Sequence, residues 1–272
     1  MNDKQFFKLS KTLEPYRNEI EKTAKPCISI TTVDGKPALY ESKFGGFPYL
    51  PKGADHPLDE KGRHMSLLAQ YRFSDIPKLP GMPLEGMIQF FLSAHDDMMG
   101  LDFDDPTSQK NFRVVYHAEV LEDDSLLVTD FSYMEEPDED YLPIEGEWAI
   151  SFSLAQEPVP PSDFQFEELM KDMDCEVVVG KDSYGELTLI DVFSEELSGE
   201  GHKIGGYAYF TQEDPRCYEH SFREHDILLL QMDSEDEREI MWGDCGVGNF
   251  FIRKEDLEKL DFSRVLYNWD CS

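Results

Sequence analysis

The sequence predicts an α+β fold, mostly antiparallel β, in which a duplicated β-rich unit packs as one domain spanning residues 1–272. Three observations carry this. Short β-rich runs follow one another without the regular helices that a parallel βαβ sheet needs. KFGGFPYLP, from Lys43, is restated 160 residues later as KIGGYAYF, from Lys203, and further matches follow in the same order. Each copy has roughly 75 residues, too few to close a core alone, so the copies are expected to intertwine.

In chain order, Phe6, Leu9, Leu13, Tyr16 and Ile20 recur at helical spacing. They predict an amphipathic helix over 3–24, with Pro15 either breaking it or opening a second helix at its first turn. From Pro26 onward the texture changes to CISITTV, GMIQFFLS, FRVVYHAEV, SLLVTDFSY, EWAISFSL, CEVVVG and DILLLQM. Each is bounded by Pro, Gly or Asp clusters and reads as a strand. Two short helices are expected besides, one at PSDFQFEELMKDM, where Ser162 and Gln165 have capping-box spacing, and one at RKEDLEKL.

The repeat runs through four landmarks. Gly45-Gly46 matches Gly205-Gly206 at an offset of 160, HMSLLAQ matches HDILLLQ at 161, and GMIQFFL matches GVGNFFI at 160. RVVY from Arg113 matches RVLY from Arg264 at 151. The first copy therefore spans about 43–119 and the second about 203–270, with a middle insertion of about 121–200 between them. The drop in offset gives the first copy nine extra residues, in the acidic segment SAHDDMMGLDFDDPTSQKN. A loop that its twin lacks is not needed to close the unit, which makes it the candidate for function.

Acidic residues number 57 against 25 basic, a net charge of −32. Such a chain repels phosphate backbones and anionic membranes, so neither nucleic acid nor membrane is expected as a partner. The five cysteines, Cys27, Cys175, Cys217, Cys245 and Cys271, are odd in number and widely spaced. That is no disulfide framework and fits a reducing cytoplasm. The N-terminal segment lacks a signal-peptide core, and no apolar run approaches the roughly 20 residues of a membrane helix. A soluble protein is expected.

Four constellations bear on chemistry. The glycine pairs lack the following helix of a phosphate loop, because Pro48 and Pro51 forbid one, and read as turns in backbone angles closed to other residues. Asp96, Asp97, Asp102, Asp104 and Asp105 supply oxygen enough for a divalent cation without EF-hand spacing, and read first as a protein-contact loop. Gln70 and Gln231 end apolar strands in both copies and, with neighbouring tyrosines, are candidates to line a ligand cleft between the copies. Cys217, His220, His225 and Cys245 carry zinc-type donors at no recognised spacing. His225 answers His64 in the repeat and reads as structural, bonding backbone between the copies. No metal, cofactor or catalytic residue is assigned.

KFGGFPYLPKG, LLAQ, the turn Leu79–Gly81, GMIQFFLS, the segment ending DFDDPT and the C-terminal GDCGVGNFFIRKEDLEKLDFSRVLYNWDCS together resemble the YwqG-like family of uncharacterised bacterial proteins. The resemblance covers about Lys43 to Ser272 and implies an α+β fold containing a duplicated unit, with no activity to carry over. One departure is Asp55-His56-Pro57, where relatives tend to have an aromatic before the proline. The leading functional expectation is a non-catalytic acidic protein that binds a basic protein partner through the 94–110 segment, immunity-like or antitoxin-like in role. The alternative is a small-molecule binder or metal-dependent hydrolase that uses the cleft between the copies. The sequence leaves oligomeric state open.

Overall fold

The computed structural model describes residues 7–136, 141–181, 183 and 185–272. A 3-10 turn at Glu14–Tyr16 leads into α1 (Arg17–Lys22). The strands are β1 (Lys25–Val33), β2 (Lys43–Gly45), β3 (Ser66–Arg72), β4 (Met87–Leu92), β5 (Phe112–His117) and β6 (Glu147–Glu157). After α2 (Phe166–Leu169) come the hairpin β7 (Val178–Lys181) and β8 (Glu186–Thr188), then α3 (Leu189–Glu196) and β9 (Lys203–Gly205). The chain finishes through α4 (Pro215–Tyr218), β10 (Ile227–Asp233), β11 (Val247–Ile252), α5 (Lys254–Glu258) and β12 (Leu266–Asp270).

Ten strands form one antiparallel sheet in the order β12-β11-β10-β9-β1-β6-β2-β3-β4-β5. The centre is β1 against β6, paired from Lys25 opposite Glu157 to Val33 opposite Ala149. On either side lies an arm of four strands. β4 and β11 stand far apart in the order, yet Phe90 meets Phe250 at 4.8 Å and Phe112 meets Tyr267 at 5.0 Å. The sheet therefore curls into a half-barrel whose hollow is filled by aromatic and aliphatic side chains from both arms. Burial of these rings is the main favourable term for such a sheet, each aromatic contributing a large apolar area.

The arms correspond in detail. In β3 the register slips between Leu67 and Ala69 against β4, and in β10 between Leu228 and Leu230 against β11, so each arm carries a bulge at the matching place. The last strands correct the sequence alignment. Phe91 lies opposite Arg113, and its counterpart Phe251 lies opposite Leu266, not Arg264. The ladder offset is 153, and the longer connection exceeds the shorter by seven residues instead of nine. A two-residue slip keeps every side chain on its own face, which is why strand composition concealed it.

Other expectations are also revised. Of the N-terminal helix 3–24, residues 3–6 lie outside the described residues and 7–13 are not helical. The Ser10 hydroxyl accepts from the N–H groups of Thr12 and Leu13, and Pro15 enters at the first turn of the 3-10 helix, where its missing N–H is harmless. SLLVTDFSY forms no strand. Asp123 accepts from the Ser125 N–H and starts a 3-10 turn at Asp124–Leu126, leaving Leu127 in a single bridge to Pro51. At α2 no capping box forms, because the Ser162 hydroxyl accepts from the Phe210 N–H and Asp163 takes the Gln165 N–H. The real capping box joins Thr188 and Asp191 at α3, a helix the periodicity did not suggest. Part of the acidic turn 134–143, residues 137–140, lies outside the described residues.

The middle stretch divides. Its strand β6 joins the centre of the sheet, while α2 and α3 pack with Leu9, Leu13, Ile20 and Tyr207 in a second core. Arg216 pins the start of that region to the second arm. Its guanidinium lies 2.8 Å from Asp214 and 3.2 Å from Asp163, all three side chains buried, and stacks on Phe164 and Phe251.

Candidate functional site

The glycine pairs make room for half-buried carboxylates that meet buried lysines. Gly46 and Gly206 have φ of +69° and +70°, and a Cβ at either would run into the carboxylate of Glu147 or Glu157 respectively. Those carboxylates sit 2.7 Å from Lys43 Nζ and 2.8 Å from Lys203 Nζ. Burial pulls the Lys43 ammonium down from its usual range, and Glu147 opposes the shift. The motif Lys-x-Gly-Gly thus encodes an ion pair between a buried lysine and a half-buried glutamate beside a left-handed turn, and no phosphate loop.

Gln70 and Gln231 are fully buried. Gln70 accepts from the Tyr49 N–H at 2.9 Å and donates to the carbonyls of Leu39 and Glu41. Gln231 accepts from the Tyr209 N–H at 2.8 Å and donates to the carbonyls of Gly199 and Gly201. Each amide spends its polar atoms tying a loop to the end of β2 or β9. Neither borders the crevice at the aspartate segment.

The five aspartates divide among turns. Asp96 accepts from the N–H groups of Met98 and Gly100, and Asp105 from the N–H and hydroxyl of Thr107. Asp102 accepts from the N–H groups of Asp104 and Asp105 and from Lys110 at 3.3 Å. Slight burial works to raise its carboxyl, and Lys110 with those two N–H groups outweighs it, holding the group below its usual range. Asp97, Asp104 and Asp105 are exposed. Asp96, Asp102, Asp104, Glu60 and Lys110 border a crevice of about 290 Å³, and Phe103 at its rim is 73% exposed.

The backbone beneath that rim is held from the other arm. Tyr267 Oη donates to the Met99 carbonyl and Trp269 Nε1 to the Met98 carbonyl, both at 2.8 Å, while Tyr267 N–H reaches the Pro106 carbonyl. Gln109 adds a bond to the Phe262 carbonyl. The segment is thus part of the closure between the arms as well as their point of difference. No motif marks Phe103, Glu60 or Lys110 in the sequence, since only the fold sets them around the aspartates.

A second cavity, of about 370 Å³, opens where β1 and β9 meet the end of β10. His202 is buried at its edge. Its Nδ1 accepts from the Asp233 N–H at 2.9 Å, so the ring proton sits on Nε2, which donates to Glu235 at 3.1 Å. Glu235 also accepts from the Thr32 hydroxyl at 2.9 Å. Burial lowers the His202 pKa and Glu235 works against it. The matching place in the first arm holds Ser42, which accepts from the Arg72 N–H and donates to Asp75 at 2.7 Å.

Two further histidines tie backbone or side chains within the first and second arms. His225 Nε2 donates to the Arg264 carbonyl within its own arm, not between arms as expected. His56, the departure before Pro57, donates from Nε2 to the Met65 carbonyl and accepts from the Tyr133 hydroxyl. Its ring stands edge-on to His64 and Tyr133, in a space suited to an aromatic. Among the described residues no three His, Cys, Asp or Glu side chains are placed to hold one metal ion, and no helix is long and apolar enough to cross a membrane.

No curated protein matches the chain. Residues 42–271, from the end of the β1–β2 connection to the penultimate residue, match DUF1963, a domain of unknown function, and the chain belongs to that family.

Proposed function

We propose that this protein is a non-catalytic binding protein that receives a basic protein partner on the 94–110 segment. The observation that carries the reading is Phe103, 73% exposed between Asp102 and Asp104 on backbone held by Tyr267 and Trp269. A large ring held out on a rigid base is what interface hot spots use, and surrounding carboxylates steer a partner of opposite charge. The net charge of −32 sets the sign of that partner. The test places a photo-cross-linking residue at position 104 and, as control, at position 218, another exposed site. Adducts with a basic protein from position 104 alone are expected. Equal adducts from both positions, or none, would sink the reading.

Supporting a cytoplasmic, YwqG-like bacterial protein are the quoted motifs and five cysteines that form no disulfide among the described residues. We also read the arms as two copies of one unit packed as a single domain. Support comes from the paired bulges, the ion pairs of Lys43 and Lys203, and the same three hydrogen bonds at Gln70 and Gln231.

A further inference from the structure

We infer that the outer edge of β5 is a docking site for an extended segment of another protein, apolar at alternate positions and neutral or basic between them, which joins the sheet as a further strand. This goes beyond the partner surface at Phe103 and does not depend on it. A groove of about 450 Å³ opens at that edge. Arg113, Val114, Val115 and Tyr116 all line it. Side chains alternate between the two faces of a strand, so four consecutive residues mean that the edge of β5, and not one of its faces, looks into the groove.

The edge holds unused main-chain groups. The Ser93 N–H bonds the Asn111 carbonyl and the ladder alternates from there, so Arg113, Val115 and His117 bond β4 while Val114 and Tyr116 turn their main-chain groups outward. The Val114 N–H is taken at 2.8 Å by the side-chain oxygen of Gln109. Among the described residues the Tyr116 N–H and the carbonyls of Val114 and Tyr116 have no hydrogen-bond partner. Leu260 and Phe262 add apolar lining beside them.

The other arm shows what such an edge receives. Phe250 pairs with Tyr267 as Phe90 pairs with Val114, so Tyr267 is the counterpart of Val114 on the last strand of its arm. The Tyr267 N–H takes a main-chain carbonyl, that of Pro106, from the longer connection. The shorter connection of the second arm gives β5 no main-chain bond among the described residues, and the Gln109 side chain stands in. Leu260, in that shorter connection, is a second and independent sign. It has φ of +55° just after α5, where glycine or asparagine is the usual residue, and its side chain is 42% exposed at the groove. A large apolar side chain held in strained backbone and out in solvent contributes little to folding, but it gains contact when a strand lies beside it. A second copy suits the edge less, since two chains at −32 repel while a neutral or basic segment is drawn in.

The test is calorimetric titration of the full chain with the peptide acetyl-Lys-Val-Thr-Val-Thr-Val-Lys-amide and with two versions of it, one N-methylated at its valines and one at its threonines. A strand offers its N–H groups alternately to its two edges, so one methylated version is expected to bind at least about tenfold more weakly and the other as well as the parent. Leu260→Asn relieves the left-handed backbone, and it should weaken the parent peptide about tenfold without lowering the unfolding temperature. Phe103→Ser should leave binding unchanged. The inference is overturned if the parent peptide does not saturate, if the two methylated versions bind alike, or if Leu260→Asn has no effect. It is equally overturned if Phe103→Ser weakens binding as much, which would put the peptide on the other surface. Dimerisation of the chain alone that Leu260→Asn abolishes would give the edge to a second copy and overturn it too.

Discussion

The hydroxyl of Tyr71 in β3 donates to the main-chain carbonyl of Leu229 in β10 at 2.9 Å, in the buried interior where the two arms meet. Leu229 is the residue that the β10 bulge leaves without a ladder partner. One arm thus satisfies a backbone group that the other arm's irregularity exposes. Tyr71→Phe keeps the ring and removes only this bond, leaving a buried carbonyl unpaired. A loss of about 1–3 kcal/mol is expected in urea unfolding. A change below about 0.5 kcal/mol would show that the carbonyl finds another donor.

Glycine replacement separates backbone strain from collision. Gly53 has φ of +88° and no atom within 4 Å of the place an added methyl would occupy, so Gly53→Ala meets no collision. It is expected to cost about 1–2 kcal/mol from the left-handed backbone alone. Gly46→Ala and Gly206→Ala must also displace a carboxylate from its lysine. They are expected to exceed Gly53→Ala by about 1–3 kcal/mol in the same measurement.

Removing Arg216 leaves Asp163 and Asp214 buried without their cation. Arg216→Ala is expected to cost about 3–5 kcal/mol by chemical denaturation. Double replacement of Arg216 and Asp163 should cost less than the sum of the single changes, since each relieves what the other strands.

Asp59 links stability to acid. Burial works to raise its pKa, but bonds from Arg63, Ser93 and the Lys61 N–H prevail and bring it to about 2, from an ordinary 3.8. A depressed acid contributes fully above its unfolded pKa and is lost as pH falls through the folded one. Asp59 should therefore supply about 2 kcal/mol at neutral pH, declining between about pH 4 and pH 2. Unfolding free energies across that window should fall less steeply in Asp59→Asn.

Phe103 contributes little to folding because it lies in solvent. Phe103→Ser is expected to move the unfolding free energy by less than about 0.5 kcal/mol. Under the proposed function it should nonetheless weaken partner binding at least tenfold, which a cross-linking yield or titration with the captured partner would read.

Much of the frame was legible in local pattern. Lys43 to Tyr49 and Lys203 to Tyr209 announced matching elements, and runs such as MIQFFL and ILLLQM gave their strands nearly to the residue. The candidate site was less so. Asp96 to Asp105 stood out by density, but composition does not show that their oxygens cap local turns, or that Phe103 crowns them. SLLVTDFSY misled because apolar content alone does not supply a ladder partner, and among the described residues the one bridge from that run, at Leu127, reaches Pro51.

By itself the sequence determined the sign of the surface charge, the side-chain period of most strands and the left-handed turns at the glycine pairs, all properties of neighbouring residues. The tertiary structure decided what depends on distant segments meeting. It set β6 beside β1 at the centre of the sheet, slipped the last ladder by two residues, and seated the Met98 and Met99 carbonyls on Trp269 and Tyr267. It also opened the cavity at His202, whose lining comes from β1, β6, β9 and β10. A period of two fixes which face a side chain takes, but strand neighbours are chosen by which apolar faces bury together, and no local pattern records that choice.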